Sequence, residues 1–143
     1  MTTIRQILAC KPDIYAVDPD ATVLDALRLL DEKNVGALLV MKGERLVGIF
    51  SERDYARRMV LHGRSSKETA VREVMTREVF TIPPDAQAGE CMAHMTDRHI
   101  RHLPVLEGGK VVGVISIGDI VRVVMEDMRF TIRQLESYIR SGG

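Results

Sequence analysis

Gly48-Ile49-Phe50-Ser51-Glu52-Arg53-Asp54 is matched, 65 residues further along the chain, by Gly113-Val114-Ile115-Ser116-Ile117-Gly118-Asp119. Both stretches contain a glycine, two apolar residues, a serine and, three residues after the serine, an aspartate. The apolar residues are typical of the end of a strand, whereas the serine and the aspartate are typical of the start of a helix. The two stretches therefore predict two strand-to-helix junctions of the same design.

The matching stretches belong to a longer internal repeat. Asp20 aligns with Asp85 at the same spacing of 65 residues, and Ile4-Arg5-Gln6-Ile7-Leu8 is similar to Val71-Arg72-Glu73-Val74-Met75 with a shift of two residues. Such self-similarity indicates two copies of one structural unit. We place the first copy at residues 1–68, the second copy at residues 69–125 and a tail at residues 126–143.

The first copy has the hydrophobic pattern of a β-α-β-β-α unit. Four apolar residues recur at helical spacing after the Asp18-Pro19-Asp20 break: Val23, Ala26, Leu27 and Leu30. Thr22, with Asp25, is expected to cap this helix. Apolar runs at 37–41 and 45–50 predict two strands, and a further helix is expected from Ser51 to about Leu61.

The second copy repeats this order. Its helix is expected to turn Ala88, Cys91, Met92 and Met95 inward, and its strands are expected at 103–106 and 110–115, followed by a helix from Ser116. One such unit of about 60 residues would bury too little apolar surface to be stable alone. We therefore expect an α+β fold in which two units pack through their sheets, with a C-terminal helical extension.

The extension carries apolar residues at helical spacing: Val121, Val124, Met128, Ile132, Leu135 and Ile139. Two interpretations of this stripe stay open. It covers an edge of the chain's own core, or it contacts a second subunit.

Charge and composition exclude some classes of partner. The chain has 20 Lys plus Arg against 20 Asp plus Glu, so its net charge of zero attracts neither nucleic acid nor an anionic membrane. Aromatic residues make up 4% and tryptophan is absent, which argues against single-strand binding by base stacking. We expect neither nucleic acid nor membrane as a partner.

The cysteines and the N-terminal sequence predict a location. Cys10 and Cys91 form neither a disulfide framework nor a metal-binding spacing. The first residues lack the apolar segment of a secretory signal, and no apolar run approaches the roughly 20 residues that cross a bilayer. These features predict a soluble protein in the reducing cytoplasm.

The repeated serine and aspartate have two interpretations. A serine at the N-cap with an aspartate three residues later forms a capping box, which by itself explains the pattern. The same position at a helix N-terminus also suits a phosphate, and a carboxylate can accept hydrogen bonds from both hydroxyls of a ribose.

The repeat length, the β-α-β-β-α order and the two Gly-apolar-apolar-Ser-x-x-Asp motifs together resemble paired CBS domains, the Bateman modules named from cystathionine β-synthase. The resemblance covers roughly residues 4–125. It implies two units related by a pseudo-twofold axis, with two clefts that bind adenosine-containing ligands such as AMP, ADP, ATP, NAD or S-adenosylmethionine. It also implies a homodimer in which two pairs form a flat disc.

Position by position, the resemblance implies two sets of ligand contacts. One set consists of Ser116, Asp119, Thr22, Val35, Gly36 and Ala37. The other set consists of Ser51, Asp54, Ala86, Ile100, Arg101 and His102.

The two implied clefts differ in charge. Arg101-His102-Leu103-Pro104-Val105 is similar to the family's basic-basic-apolar-Pro-Val segment, whose cations contact phosphates, whereas the first copy has Gly36-Ala37-Leu38-Leu39-Val40 there. We therefore expect stronger phosphate binding in the cleft with Asp54. Arg53 and Arg57 are candidate helpers, with a solvated helix face as the alternative for both.

We conclude from the sequence that this is a regulatory module and not an enzyme. It is expected to bind an adenine nucleotide, AMP before ADP, ATP or NAD, and to report energy or redox state to a separate effector protein. The alternatives are a structural dimerisation unit with unused clefts and a small nucleotide-processing enzyme. No metal is expected, because His94, Asp97, His99 and His102 do not provide a convergent ligand set.

Overall fold

A computed structural model of the chain describes residues 2–10 and 13–142, and their contacts form two units. Unit 1 comprises residues 2–10, Thr81–Glu107 and 113–142. Unit 2 comprises Asp13–Phe80 and Gly108–Val112. The predicted outer boundaries at residues 1 and 143 lie outside the described residues, and the repeat boundaries at 68 and 125 stay predictions.

The chain contains both helices and strands. The elements are α1 (Ile4–Leu8), β1 (Ala16–Val17), α2 (Val23–Lys33), β2 (Ala37–Lys42), β3 (Arg45–Ser51), α3 (Glu52–Asp54), a π-helical turn (Tyr55–Val60), a 3₁₀ turn (Val71–Glu73), α4 (Ala88–Arg98), β4 (His102–Glu107), β5 (Lys110–Ser116) and α5 (Ile117–Arg140). The α+β class and the C-terminal helical extension are confirmed.

Unit 2 is built on a three-stranded sheet. β2 pairs in parallel with β1 and antiparallel with β3. The α2 residues Val23, Ala26 and Leu30 are buried in the core, as the helical spacing predicts, and Phe50 of β3 is fully buried. Thr22 caps α2, since its Oγ1 accepts a hydrogen bond from the Asp25 amide at 3.1 Å.

β4 and β5 form a two-stranded sheet, and β4, the end of β5 and the helix α4 belong to unit 1. Ala88, Cys91 and Met95 of α4 are buried as predicted, and Met92 is half-buried. The first strand of the second copy is reduced to a single bridge between Ile82 and Val105. Two prolines follow Ile82, and proline has no amide hydrogen with which to continue a ladder.

The opening segment of each copy is held in the same way. In unit 1, Arg5 of α1 forms ion pairs with Asp85 at 3.2 Å and with Glu107 at 2.5 Å. In unit 2, Arg72 of the 3₁₀ turn forms an ion pair with Asp20. Because 20–85 and 5–72 are repeat-related pairs, the internal repeat extends to these exposed charges, each of which contributes little to stability.

Helix α5 has 24 residues and is therefore about 36 Å long. Ile120 near its start is buried, but most of the apolar residues after it are exposed. The N-terminal Thr2 is tied to this helix, since its amide and Oγ1 donate to the Asp127 carboxylate at 3.1 and 2.8 Å. Within the described ranges, none of the helices has both the length and the apolar character of a membrane span.

Candidate functional site

The junction between β3 and α3 is a closed hydrogen-bonded box. Asp54 Oδ2 accepts hydrogen bonds from the Ser51 amide at 3.0 Å and from Ser51 Oγ at 3.1 Å, and the Asp54 amide donates back to Ser51 Oγ at 3.2 Å. The Asp54 side chain is buried, with 8% of the residue exposed. The serine and aspartate therefore form the predicted capping box.

The junction between β5 and α5 has the same geometry. Asp119 Oδ2 accepts from the Ser116 amide and from Ser116 Oγ, both at 2.9 Å, and the Asp119 amide donates to Ser116 Oγ at 3.2 Å. Asp119 is as buried as Asp54. Capping is thus common to both units, and each cap brings a carboxylate to the end of a strand.

The first amides of these helices are largely used within the protein. The Glu52 amide donates to the Gly36 carbonyl at 3.1 Å, and the Ile117 amide donates to the Arg101 carbonyl at 2.8 Å. The Asp54 and Asp119 amides are bound by the cap serines. Because these amides already have partners, a phosphate contact depends mainly on side chains.

In unit 2, some predicted ligand contacts lie next to this junction. Ala37 pairs with Ser51 in the β2–β3 ladder, so Gly36 and Ala37 lie directly beside the cap. Val35, Gly36 and Ala37 are half-buried. Thr22 lies at the other end of α2, where it caps that helix.

In unit 1, Arg101 and His102 lie beside the second junction. The Arg101 carbonyl holds the start of α5, its side chain is exposed, and His102 begins β4. Ala86 and Ile100 are half-buried. The described structure therefore brings Arg101 close to Ser116 within one unit, and the predicted combination of Arg101 with Ser51 and Asp54 of unit 2 stays a prediction.

Two further residues surround Asp54 that the sequence patterns did not single out. Thr76 Oγ1 donates to Asp54 Oδ1 at 3.1 Å, and Arg58 Nε lies 3.9 Å from the same oxygen. Arg58 also donates to the carbonyls of Val74 at 3.1 Å and Met75 at 2.6 Å. The spacing of four residues between Asp54 and Arg58, which brings two side chains together on a helix, could have predicted this contact.

The surroundings of the two aspartates differ in sequence. The residue equivalent to Arg58 at the 65-residue spacing is Val123, so no guanidinium occupies that position in the second copy. Arg53 and Arg57, the arginines that the sequence suggested, are exposed. A ligand therefore meets a different set of charges at each junction.

The remaining candidate groups are structural. Burial raises the pKa of the Cys91 thiol to about 11, which disfavours a reactive thiolate at neutral pH. His99 ends α4 in the left-handed conformation, with φ of 55°. Among the residues that the structure describes, no group of three or more His, Cys, Asp or Glu side chains is placed to hold a metal ion.

A family model matches the chain twice. The model of the CBS domain matches residues 4–61 and 71–126, each match containing one of the Ser-x-x-Asp junctions. Together the matches cover most of the chain, and their spacing agrees with the internal repeat.

Similar proteins also contain CBS domains. The chain is 44% identical over 128 residues to the mitochondrial CBS domain-containing protein CBSX3 of Arabidopsis thaliana, an alignment that covers 86% of this chain and 62% of that protein. A crystallised protein with CBS domains from Burkholderia ambifaria shares 51% identity and a TM-score of 0.85, over 88% of this chain and 96% of that one.

One structural relative contains ligands. The CBS domain pair of protein MJ0100, solved in complex with 5-methylthioadenosine and S-adenosylmethionine, is 26% identical to this chain. Its TM-score is 0.76, and the comparison covers 89% of this chain and 98% of that one. Both of its ligands contain adenosine.

Proposed function

The chain belongs to the CBS-domain family, and from this membership we propose that it is a regulatory module that binds an adenine nucleotide and signals to a separate effector protein. CBS domain pairs are regulatory modules for adenosine-containing ligands. The two adenosine ligands of the MJ0100 pair support that ligand class. AMP is our first choice, with ADP, ATP and NAD as the other candidates, and the signal is energy or redox state.

The duplicated Ser-x-x-Asp junction carries this proposal. At each junction a buried aspartate stands at the end of a strand, with one oxygen engaged by its cap serine. At Asp54 the other oxygen accepts from Thr76 Oγ1, so this atom already binds a hydroxyl group. The hydroxyls of a ribose have the same donor chemistry, and a carboxylate has acceptor sites for two of them.

Arg101 and His102 supply the proposed phosphate contacts. The Arg101 side chain is exposed while its carbonyl is fixed at the start of α5, so the guanidinium is anchored at its base and accessible at its tip. The equivalent positions of the first copy are Gly36 and Ala37, which carry no charge. This asymmetry supports a preference for phosphorylated ligands at one of two sites.

Signalling requires a ligand to have different affinities for two states of the protein. We propose that this chain forms a homodimer in the cytoplasm. The homodimer then signals to an effector protein. Two cysteines without a disulfide support a reducing compartment. Binding without turnover is expected.

A thermal-shift panel tests the proposal. Wild-type protein is melted with AMP, ADP, ATP, NAD, NADH or S-adenosylmethionine, and product formation from ATP and NAD is followed in parallel. A ligand at 100 times its Kd stabilises a protein by about 2.7 kcal/mol, a shift of roughly 8 °C for a chain of this size. If no adenosine ligand raises Tm at millimolar concentration, a structural dimerisation unit replaces the sensor. Turnover of ATP or NAD would instead indicate an enzyme.

A further inference from the structure

The apolar stripe of α5 has no partner within the described chain. We define the α5 stripe as six residues that are each between 41% and 70% exposed: Val121, Met125, Met128, Ile132, Leu135 and Ile139. Val124, which the sequence placed in the stripe, is half-buried. These six residues therefore do not cover the chain's own core.

Two concavities lie along the stripe. One of about 480 Å³ is lined only by α5, including Val121, Met125 and Arg129. The other, of about 270 Å³, is lined by Gly89 of α4 together with α5 residues that include Met128 and Ile132. A concavity lined by one helix is closed only by a second body that lies along that helix.

We propose that α5 packs antiparallel against α5 of a second copy, an inference that rests on the homodimer of the proposed function. An antiparallel pair with a twofold axis near residues 129–130 places apolar residues of the stripe opposite one another: Val121 opposite Ile139, Met125 opposite Leu135 and Met128 opposite Ile132. Such an isologous contact closes with two copies. The partner is thus this chain itself.

Charges beside the stripe select this direction. In the same register Arg122 comes within about 3 Å along the axis of Glu136 of the second copy, and both residues lie beside the stripe. Arg129 lies on the same side of the stripe near the axis and meets Arg129 of the second copy, so two opposite-charge pairs outweigh one like-charge contact. A parallel pair in register would instead place Arg122 beside Ile117 and Glu136 beside Thr131 of the second copy, so neither charge would meet its opposite.

The charge balance of α5 argues against a lipid surface. The helix contains four arginines and four acidic residues, so it lacks the excess of positive charge that attracts anionic headgroups. Opposite charges that match in one register suit a self-complementary protein contact better.

An apolar pair of variants tests the face. Ile132→Asp and Phe130→Asp are compared by sedimentation equilibrium, because the two residues are 52% and 59% exposed yet lie about 200° apart around the helix. Ile132→Asp should raise the dimer Kd at least about 100-fold, whereas Phe130→Asp should change it less than about threefold. Melting of each variant checks that the fold is retained.

A charge swap tests the direction. Arg122→Glu and Glu136→Arg should each raise the dimer Kd about 10-fold, and the double variant should return it to within about threefold of wild type, since the swapped charges again face their opposites. Glu44→Arg, a reversal in the exposed turn between β2 and β3, is the matched control and should have no effect.

The outcomes separate this proposal from the proposed function. A wild-type dimer that Ile132→Asp leaves intact overturns the α5 contact and retains the homodimer. Wild-type protein that is monomeric at high concentration overturns both the homodimer and the α5 contact. A dimer that Phe130→Asp dissociates as strongly as Ile132→Asp overturns the α5 contact alone. If the double variant is no tighter than the single ones, the antiparallel register is wrong. Nucleotide binding is measured separately by the thermal-shift panel.

Discussion

Gly48 and Gly113 occupy equivalent positions in β3 and β5, and each is closely approached by the opening segment of a copy. A Cβ at Gly48 would lie 2.6 Å from Met75 Sδ and 2.8 Å from the Thr76 carbonyl oxygen. The three atoms nearest to a Cβ at Gly113 all belong to the side chain of Leu8. The glycine of the repeated motif is therefore required for packing, but the two contacts differ in how easily they can yield.

The first prediction concerns this pair. Gly48→Ala should lower the free energy of unfolding by about 1–3 kcal/mol, because a backbone carbonyl cannot move aside without shifting the strand. Gly113→Ala should cost less, since the end of the Leu8 side chain can rotate away. Urea denaturation of both variants measures the difference, and equal losses would show that the two contacts are equally rigid.

The second prediction concerns phosphate recognition. Arg101→Ala should weaken ATP binding about 10-fold while changing adenosine binding less than threefold, because a charge-assisted hydrogen bond is lost only from the phosphorylated ligand. The Arg101 carbonyl, which holds the start of α5, is retained in this variant. Arg45→Ala, which removes an exposed arginine at the start of β3, is the control for calorimetry. A parallel loss of adenosine binding would contradict a phosphate contact.

Among the elements, the strands and helices with a clear hydrophobic period were predictable from the sequence. The apolar run at 37–41 became β2, and the spacing of Val23, Ala26 and Leu30 became the buried face of α2. The π-helical turn Tyr55–Val60 was not predictable, because the residues also fit an ordinary helix. Its sequence contains no signal that distinguishes the two hydrogen-bond patterns.

The candidate site was predictable only in part, because some of its contacts join residues that are far apart in the sequence. The cap serines and aspartates follow from a local spacing of three residues, which the sequence displays directly. Thr76 reaches Asp54 only because the chain after the 3₁₀ turn returns to β3, where Thr76 and Ile49 exchange backbone hydrogen bonds. This contact joins residues 22 positions apart, and no periodic pattern in the sequence indicates it.

The third prediction belongs to α1 and concerns acid. The Arg5 guanidinium lowers the pKa of the Glu107 carboxyl below its usual 4.5, so this pair contributes stability above the unfolded-state pKa and loses it as the pH falls through the lowered folded-state pKa. Glu107→Gln should therefore lose less Tm than wild type when the pH is taken from 5 to 3. Thermal melts across that range measure the slopes. Identical slopes would contradict a native ion pair in solution.

At the scale of the whole molecule, the two copies share one local geometry but differ in the residues around it. Both units contain the serine-capped, buried aspartate at the end of a strand. Arg58 and Thr76 surround the first aspartate, whereas the basic Arg101-His102 segment belongs to the unit of the second. A duplicated ribose acceptor with unequal charges is expected to give two sites of unequal preference.

The central claim is that these aspartates bind the ribose of an adenosine ligand. Isothermal titration calorimetry with AMP on wild type, Asp54→Ala and Asp119→Ala tests it most directly, with Glu44→Ala as the control, since Glu44 is an exposed carboxylate in the turn between β2 and β3. Each aspartate variant should weaken AMP binding at one site by about 10-fold to 100-fold, because it loses hydrogen bonds to a charged group. The control should bind AMP like wild type. Folded Asp54→Ala and Asp119→Ala variants that both bind AMP with the wild-type Kd would contradict the account.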